Sequence, residues 1–294
     1  MTYSEAMKIA RHFYSLANPS EDDVILFIEA MDFLIDTTHE SRFMMMLGGY
    51  YYGVKDYHLA RKYYEMAAES GNTDAYAGLG YIFYYGRTGE PDYEKAFKYY
   101  SKAMEAGDIQ CTYKVADMYK NGYFVEKNYA KYKQIIEQLY PKVKNARRLE
   151  EYLPEVFTRL AKIRSKEGKT DEALRLYWNA RDFLRQRIHY NPFFGNLSIM
   201  KGLIADLYAL QPFDPEDFSL YDLYWVLREP NRVHFRYDEE EHIAESLIEE
   251  GAVVIHFDDR WYRTVDDFFA KAAIDGQLLT FLEDELYMFE VEKK

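Results

Sequence analysis

The sequence predicts a mainly α protein, a right-handed α-solenoid of helical hairpins followed by a small, mainly antiparallel α+β domain. Three observations support this fold class. A pattern typical of two antiparallel helices recurs at a spacing of 36 residues, glycines follow the predicted helix ends, and the period is lost after residue 212. A single hairpin cannot bury its apolar stripe alone, so repeated hairpins are expected to stack on one another.

An Asp-Tyr or Asn-Tyr pair marks the start of each second helix and recurs every 36 residues, at Asp56-Tyr57, Asp92-Tyr93 and Asn128-Tyr129. The side-chain oxygen of the first residue of each pair is expected to cap the helix that follows. Small residues recur in the first helices at Gly48, Gly80 and Ala116. These positions predict a close approach of the two helices in each hairpin.

Glycines mark the predicted helix ends in the same register. Gly53, Gly86 and Gly122 follow the first helices, where a left-handed backbone is favoured, and Gly71 and Gly107 follow the second. The second helix of the third hairpin departs from the pattern and is predicted to end at Pro141.

The strings that carry the period are LGGYYYG (47–53), DYHLARKYYEMAAESG (56–71), LGYIFYYG (79–86), DYEKAFKYYSKAMEAG (92–107) and VADMYKNG (115–122). They resemble the Sel1-like repeat, a relative of the tetratricopeptide repeat (TPR). A plainer tetratricopeptide-like hairpin follows with TDEALRLY (170–177), so that the resemblance covers about residues 40–190. It implies an adaptor that assembles protein complexes, and many such proteins act in bacterial signalling or host contact.

The predicted organisation has three parts. Residues 1–40 form amino-terminal capping helices at 4–17 and 21–36, with Ser20 as the N-cap of the second. Residues 41–210 form the repeat array, which includes one more helix at 197–210, and residues 211–294 form the carboxyl-terminal domain.

The sequence of the carboxyl-terminal domain resembles no named family. After Pro212-Phe213-Asp214-Pro215 the sequence predicts a short helix at 221–227, a strand at 233–237 and a hairpin of 252–257 with 261–262, turned at Asp258-Asp259. A helix at 266–274 and one or two strands within 278–291, with Glu283-Asp284 as the turn, complete it. Residues 239–250 suit a helix or a strand about equally.

The charge is divided unevenly along the chain. The net charge is −13. Residues 211–294 contain 8 Lys and Arg against 22 Asp and Glu, whereas residues 127–187 contain 16 basic and 8 acidic residues. This division predicts that the acidic domain contacts the basic segment, in the same chain or in a second one.

Nucleic-acid binding is an alternative use of the basic segment. Its candidate phosphate contacts are Lys142, Lys144, Arg147, Arg148, Arg181, Arg185 and Arg187, and its candidate stacking residues are Tyr177, Trp178 and Phe183. The strongly negative total charge argues against this function.

No motif for catalysis, cofactor binding or metal binding is present. The sequence lacks GxSxG, GxGxxG, P-loop and HExxH strings, and its seven histidines do not have metal-ligand spacing. We therefore expect no cofactor, no metal and no catalytic residues. The rival hypothesis is an enzyme or regulator with its site in the acidic domain, around His234 and His256, and with the repeats as a targeting arm.

Cys111 is the only cysteine, which excludes an internal disulfide, and its neighbours predict a structural thiol. Secreted cysteine-rich Sel1-like proteins carry disulfide-linked repeats, and this chain lacks those cysteines. Residues 1–18 lack the apolar core of a signal peptide, and no long apolar run suits a membrane span, so the sequence predicts a cytoplasmic protein without membrane contact.

The resemblance also implies where a partner protein or peptide would bind. In tetratricopeptide-type arrays the first helix of each hairpin lines the concave face. The corresponding groove positions here are Met45, Tyr52, Tyr81, Tyr84, Tyr85, Tyr113, Asp117 and Lys120. Rigid aromatic rings with polar tips favour binding, but the same tyrosines could serve only to pack neighbouring hairpins.

Overall fold

The computed structural model describes residues 1–213 and 219–293. Internal contacts divide the chain into two compact units, Met1–Ile135 and Ile136–Lys294. The predicted boundary between an array at 41–210 and a domain at 211–294 remains a prediction, and Asp214 and Pro215 of the predicted connection lie outside the described residues.

The first unit is a succession of helices in which each packs against the next one along the chain. Its helices are α1 (Tyr3–Ser15), α2 (Glu21–Thr38), α3 (Ser41–Gly53), α4 (Tyr57–Glu69), α5 (Ala75–Tyr84), α6 (Tyr93–Glu105) and α7 (Ile109–Asn121). Helix α8 (Tyr129–Asn145) crosses the division between the two units. The pairs α3–α4 and α5–α6 are the predicted hairpins.

The predicted caps form. Asp56, Asp92 and Asn128 each accept a hydrogen bond from the backbone N–H three residues later, at 2.9 to 3.1 Å. Ser20 caps α2 and takes part in a reciprocal capping box with Asp23. Since these bonds satisfy backbone N–H groups that have no partner within the helix, they explain why the helices begin where the sequence places them.

The small residues of the first helices face tyrosine rings from the second helices. A Cβ atom built on Gly80 would lie 2.4 Å from the Cδ1 atom of Tyr100, and one on Gly48 would lie 2.7 Å from the Cδ1 atom of Tyr64. Both tyrosines are buried. Glycine at these two positions therefore permits the close approach that lets each ring fill the space beside the neighbouring backbone.

The second unit contains the remaining helices and the β-structure. Its helices are α9 (Leu153–Lys166), α10 (Thr170–Tyr190), α11 (Phe194–Tyr208), α12 (Leu223–Val226) and α13 (Val265–Lys271). A 3₁₀ segment at Arg147–Tyr152 precedes α9, and shorter ones lie at Leu220–Asp222, Leu279–Phe281 and Glu283–Glu285. Helix α9 packs on α10, and α10 packs on α11.

A five-stranded antiparallel sheet has the strand order β4-β3-β2-β1-β7, and a second sheet pairs β5 with β6. The strands are β1 (Asn231–Tyr237), β2 (Glu240–Glu249), β3 (Ala252–Phe257), β4 (Arg260–Tyr262), β5 (Ala273–Ile274), β6 (Gln277–Leu278) and β7 (Tyr287–Lys293). The hairpin at Asp258-Asp259 forms as predicted.

Residues 239–250, which suit either a helix or a strand, contribute β2. Two-residue turns flank this strand, and both of their residues have a positive φ, at Asp238-Glu239 and Glu250-Gly251. Such turns match the twist of paired strands. Burial alternates along β2, with His242, Ala244 and Ser246 buried, whereas Ile248, which a helix would have buried, is exposed.

Three local predictions are wrong. Helix α8 continues through Pro141 to Asn145. Gly53 does not have a left-handed backbone, and Lys55 has it instead with φ of 67°, because the turn before Asp56 extends two residues beyond the glycine. The helix predicted at 266–274 ends at Lys271, since Ala273 and Ile274 pair with β6. Gly86 and Gly122 do have the predicted left-handed backbone.

Candidate partner-binding surface

Three tyrosines at the carboxyl end of α5 form one aromatic cluster. The rings of Tyr81 and Tyr85 stack with centroids 5.8 Å apart, and Tyr84 meets Tyr85 edge-on at 4.9 Å. One helical turn separates Tyr81 from Tyr85, which places both side chains on the same face of the helix end. Tyr85 is 44% exposed, whereas Tyr81 and Tyr84 are half-buried.

Lys114, from the neighbouring first helix α7, lies over all three rings. Its Nζ atom is 5.3, 5.4 and 5.3 Å from the ring centroids of Tyr81, Tyr84 and Tyr85, within cation–π range. The ammonium also donates a hydrogen bond of 3.0 Å to the Tyr85 hydroxyl. We call Tyr81, Tyr84, Tyr85 and Lys114 the tyrosine–lysine cluster.

Arg87 extends the cluster by a second cation. Its guanidinium carbon lies 5.4 Å from the centroid of Tyr85 and 5.2 Å from that of Tyr57. Among residues 1–213 and 219–293, neither Arg87 nor Lys114 forms an ion pair with a carboxylate. Both cations therefore rest on aromatic faces and keep donors for a further acceptor.

The phenols of Tyr81 and Tyr84 stay protonated at neutral pH. Burial raises the pKa of Tyr84 to about 12, with smaller contributions from neighbouring tyrosines and from Asp117. Burial also raises the pKa of Tyr81. Since the neutral phenol is the stable form, these side chains can offer O–H donors without adding negative charge beside Lys114.

Comparison with known proteins identifies the repeated units. The Sel1 repeat model matches residues 41–72, 73–108 and 109–131. Residues 41–131 are three Sel1 repeats. The tyrosines of the cluster lie in the second repeat, and Lys114 lies in the third. No protein of curated function matches the sequence.

Two solved structures share the fold. A Sel1 repeat protein from Oxalobacter formigenes is 20% identical with a TM-score of 0.55, over 76% of this chain and 84% of that one. A protective antigen of uropathogenic Escherichia coli strains, which displays an SLR fold, is 18% identical with a TM-score of 0.50, over 73% of this chain. The match spans about half, 51%, of the antigen's length. Sel1 and related tetratricopeptide-like repeats mediate protein–protein interactions, and the likeness confirms the predicted fold class.

The other predicted groove residues of the Sel1 repeats have different surroundings. Met45 packs against the core around α1 to α3, and the ring of Tyr52 contacts Tyr57 edge-on at 5.2 Å. Tyr113 is 4% exposed, so its side chain is part of the packing around α7 and does not line an open groove. Asp117 and Lys120 are half-buried, with Asp117 close enough to Tyr84 to act on its pKa.

Two residues of the surface, Lys114 and Arg87, are not among the predicted groove positions. Lys114 lies two residues before Ala116, a position outside the pattern used to select groove residues, and Arg87 follows the glycine that ends the first helix. The sequence signal for Lys114 is a cation in the first helix of the repeat that follows the three tyrosines.

Three arginines of the basic segment form ion pairs within the second unit, contrary to their proposed contact with phosphates. Arg181 pairs with Asp222 at 2.9 Å, and neither side chain is more than 4% exposed. Arg185 pairs with Glu283 at 2.7 Å, and Arg187 pairs with Glu155 at 2.7 Å. Tyr177, a proposed stacking residue, is buried. Arg181 and Tyr177 are therefore inaccessible to nucleic acid, and Arg185 and Arg187 are already paired with carboxylates.

The tail histidines do not converge on one site. His234 on β1 contacts Glu241 at 3.2 Å, while His256 on β3 packs against Trp261, and β2 lies between the two strands. Within the described ranges, no group of three or more His, Cys, Asp or Glu side chains could hold a metal ion. No helix among the same residues has both the length and the apolar character needed to cross a membrane.

Cys111 is buried, and this burial raises the pKa of its thiol, with Asp108 adding to the effect. A protonated, inaccessible thiol is unreactive. The prediction of a structural cysteine is consistent with this environment.

Proposed function

We propose that this protein is a non-catalytic adaptor that binds a partner protein or peptide on the inner face of its Sel1 repeats. The observation that carries the proposal is the tyrosine–lysine cluster, where three rings and one ammonium group meet at the junction of the second and third repeats. The alternative role for the acidic domain, as an enzyme site, lacks support from His234 and His256, which face different neighbours.

The chemistry of this surface favours a partner with an acidic group beside an apolar one. Tyrosine rings provide contact area at low cost in conformational entropy. Lys114 and Arg87, which form no ion pair among the described residues, would each donate a charge-assisted hydrogen bond to a carboxylate of the partner. Such a bond contributes about 1.5–3 kcal/mol.

Packing and binding are separable within the cluster. Tyr81 and Tyr84 contact the buried Tyr100 of α6, at centroid distances of 5.7 and 6.0 Å, so both stabilise the hairpin. Tyr85 and Lys114 have no ring contact with Tyr100, and Tyr85 is the most exposed of the three tyrosines. Among the residues of the cluster, Tyr85 and Lys114 are therefore the positions where substitution disturbs the packing on α6 least.

The test is a capture experiment with the full-length protein, comparing wild type with the double variant Tyr85→Ala/Lys114→Met. The matched control is Tyr190→Ala, which removes an exposed tyrosine from α10. We expect the double variant to lose specific partners at least tenfold while its melting temperature changes little, and the control to retain them. If the double variant captures the same proteins as wild type, the proposed surface is wrong.

We also propose that the acidic region 211–294 is held against the basic region 127–187 of the same chain. The support is the pair of contacts that α10 makes through Arg181 with Asp222 and through Arg185 with Glu283. Tyr208 adds to the first contact by donating a hydrogen bond of 2.7 Å to Asp222. A carboxylate so enclosed has a structural role.

A further inference from the structure

The two cations of the proposed binding surface are not part of the repeat pattern. At the spacing of 36 residues, Gly78 occupies the position of Lys114 in the preceding repeat, and Tyr123 occupies the position of Arg87 in the following one. A residue that every hairpin needs for its fold is expected to recur with the period. The stacking of hairpins therefore does not account for Lys114 and Arg87, although both approach the ring of Tyr85.

A tight turn between α5 and α6 fixes the backbone at Arg87. The N–H of Arg87 donates a hydrogen bond of 2.9 Å to the carbonyl of Ile82, and the N–H of Gly89 donates one of 3.1 Å to the carbonyl of Gly86. A Cβ atom on Gly86, which has φ of 59°, would lie 2.6 Å from the carbonyl oxygen of Gly89. The turn is therefore closely packed and presents Arg87 at a defined position.

The guanidinium of Arg87 is held by aromatic faces and keeps its donors. Its central carbon lies 5.2 Å from the ring centroid of Tyr57 and 5.4 Å from that of Tyr85. The side chain is exposed and forms no hydrogen bond or ion pair with any residue of 1–213 and 219–293. A planar guanidinium offers five N–H donors in a fork that matches two oxygens of one oxyanion. The two rings thus orient Arg87 for an oxyanion of another molecule.

The charge at this surface favours a doubly charged group. Lys114 and Arg87 contribute two positive charges, 5.3 and 5.4 Å from the ring centroid of Tyr85. Asp117 lies close enough to Tyr84 to act on its pKa but forms no ion pair with either cation in the described structure. A single carboxylate would leave one of the two cations without a counter-charge, whereas a phosphoryl group carries about −1.5 to −2 charges at pH 7 and three acceptor oxygens.

Tyrosine rings next to the two cations provide contacts for residues that flank such a group. Tyr84 meets Tyr93 with ring centroids 5.6 Å apart, and Tyr93 stacks on Tyr123 at 4.6 Å. Tyr57, one of the two rings beside the guanidinium, meets Tyr52 at 5.2 Å. All five rings are half-buried, and together they belong to all three Sel1 repeats. A surface that extends over three repeats favours a polypeptide over a free anion.

We propose that this surface binds a phosphorylated side chain within a segment of the partner protein. The phosphoryl oxygens accept hydrogen bonds from the Arg87 guanidinium and the Lys114 ammonium, and the neighbouring residues of the segment pack on the tyrosine rings. This inference rests on the proposed adaptor function, and it defines the chemical group by which the partner is recognised.

The test is an affinity experiment with immobilised full-length protein and a tryptic digest of proteins from the native cell, one half of which is treated with a phosphatase. Mass spectrometry compares the retention of each phosphopeptide with that of the same sequence without its phosphoryl group. The variants are Arg87→Met, Arg87→Lys and Lys114→Met. Lys98→Met, which removes an exposed cation from α6, is the matched control, and melting temperatures verify that each variant is folded.

We expect wild type to retain phosphopeptides about tenfold or more better than their unphosphorylated counterparts. Arg87→Met and Lys114→Met should each lose most of this preference. Arg87→Lys should lose part of it, because lysine keeps the charge but not the fork of donors. Lys98→Met should bind like wild type.

The proposal is overturned if phosphopeptides and their counterparts are retained equally, if unphosphorylated acidic peptides are retained as well as phosphopeptides, or if Lys98→Met loses as much as Arg87→Met. Displacement of the phosphopeptides by an equal concentration of inorganic phosphate would also overturn it, since the tyrosine rings would then contribute nothing.

Failure of this proposal is distinguishable from failure of the adaptor surface. Partner proteins that wild type captures equally from phosphatase-treated and untreated extracts, and that Tyr85→Ala/Lys114→Met loses, would contradict the phosphoryl group while supporting the surface. Partners that the double variant retains would contradict the surface itself.

Discussion

Two adjacent glycines in α3 should respond to alanine substitution in opposite directions. A Cβ atom on Gly48 would lie 2.7 and 2.8 Å from two ring carbons of Tyr64, whereas one on Gly49 would approach only the Tyr64 hydroxyl, at 4.0 Å. Tyr64 cannot simply move away from Gly48, because a Cβ atom on Gly78, in α5, would also lie 2.6 Å from the ring. The ring is therefore confined between two helices.

The magnitudes follow from two opposing effects. Replacing a glycine by alanine inside a helix stabilises it by about 0.5–1 kcal/mol. Forcing an extra carbon into a packed site costs about 1–3 kcal/mol, and the confinement of Tyr64 places Gly48 at the upper end. We therefore expect Gly48→Ala to lower the free energy of unfolding by about 2 kcal/mol and Gly49→Ala to raise it by about 0.5–1 kcal/mol.

The assay is urea unfolding followed by circular dichroism on wild type and the two single variants, with Gly48→Ala/Tyr64→Leu to test the coupling. A smaller side chain at position 64 should reduce the cost of the added Cβ atom by about 1 kcal/mol or more, since residues in contact are not additive. The reasoning is refuted if Gly48→Ala is as stable as wild type, or if both glycine variants shift in the same direction.

Alkaline pH should destabilise the protein through its buried tyrosines. Burial raises the pKa of Tyr64 from 10.0 to about 12, so its contribution to stability is complete below pH 10 and is lost as the pH rises to 12. Tyr64→Phe should reduce the slope of stability against pH in that interval by about 1.4 kcal/mol per pH unit, and an unchanged slope in urea unfolding would contradict the assignment. In the second unit, Asp222→Asn should lower the free energy of unfolding by about 3–5 kcal/mol, because it leaves Arg181 buried without a counter-charge. Adding Arg181→Met should recover part of this loss, and a single variant as stable as wild type would contradict the prediction.

Local features of the repeats could be predicted because they depend on residues close in sequence. The N-caps at Asp56, Asp92 and Asn128 each satisfy a backbone donor three residues away, so the helix starts follow directly from the pattern. The end of α3 could not be predicted as well, because the left-handed residue is Lys55, and a lysine gives no sequence indication of that conformation.

Part of the candidate site could be predicted in the same way. The period placed Tyr81, Tyr84 and Tyr85 on one helix end, and the structure brings their rings together. Lys114 could not be assigned to them from spacing alone, because its contact with those rings depends on how α7 packs beside α5. For residues 239–250, apolar spacing suited two periods, and pairing with β1 and β3 selected the strand.

The sequence by itself determined the repeated hairpin, its caps, the small positions under the tyrosines and the uneven distribution of charge. Each depends on a period or on interactions over a few residues, which the order of amino acids specifies directly. Only the tertiary structure decided which cations rest on tyrosine rings and which arginines are neutralised by buried carboxylates. Those outcomes depend on distances between segments far apart in the chain, where packing decides which groups meet.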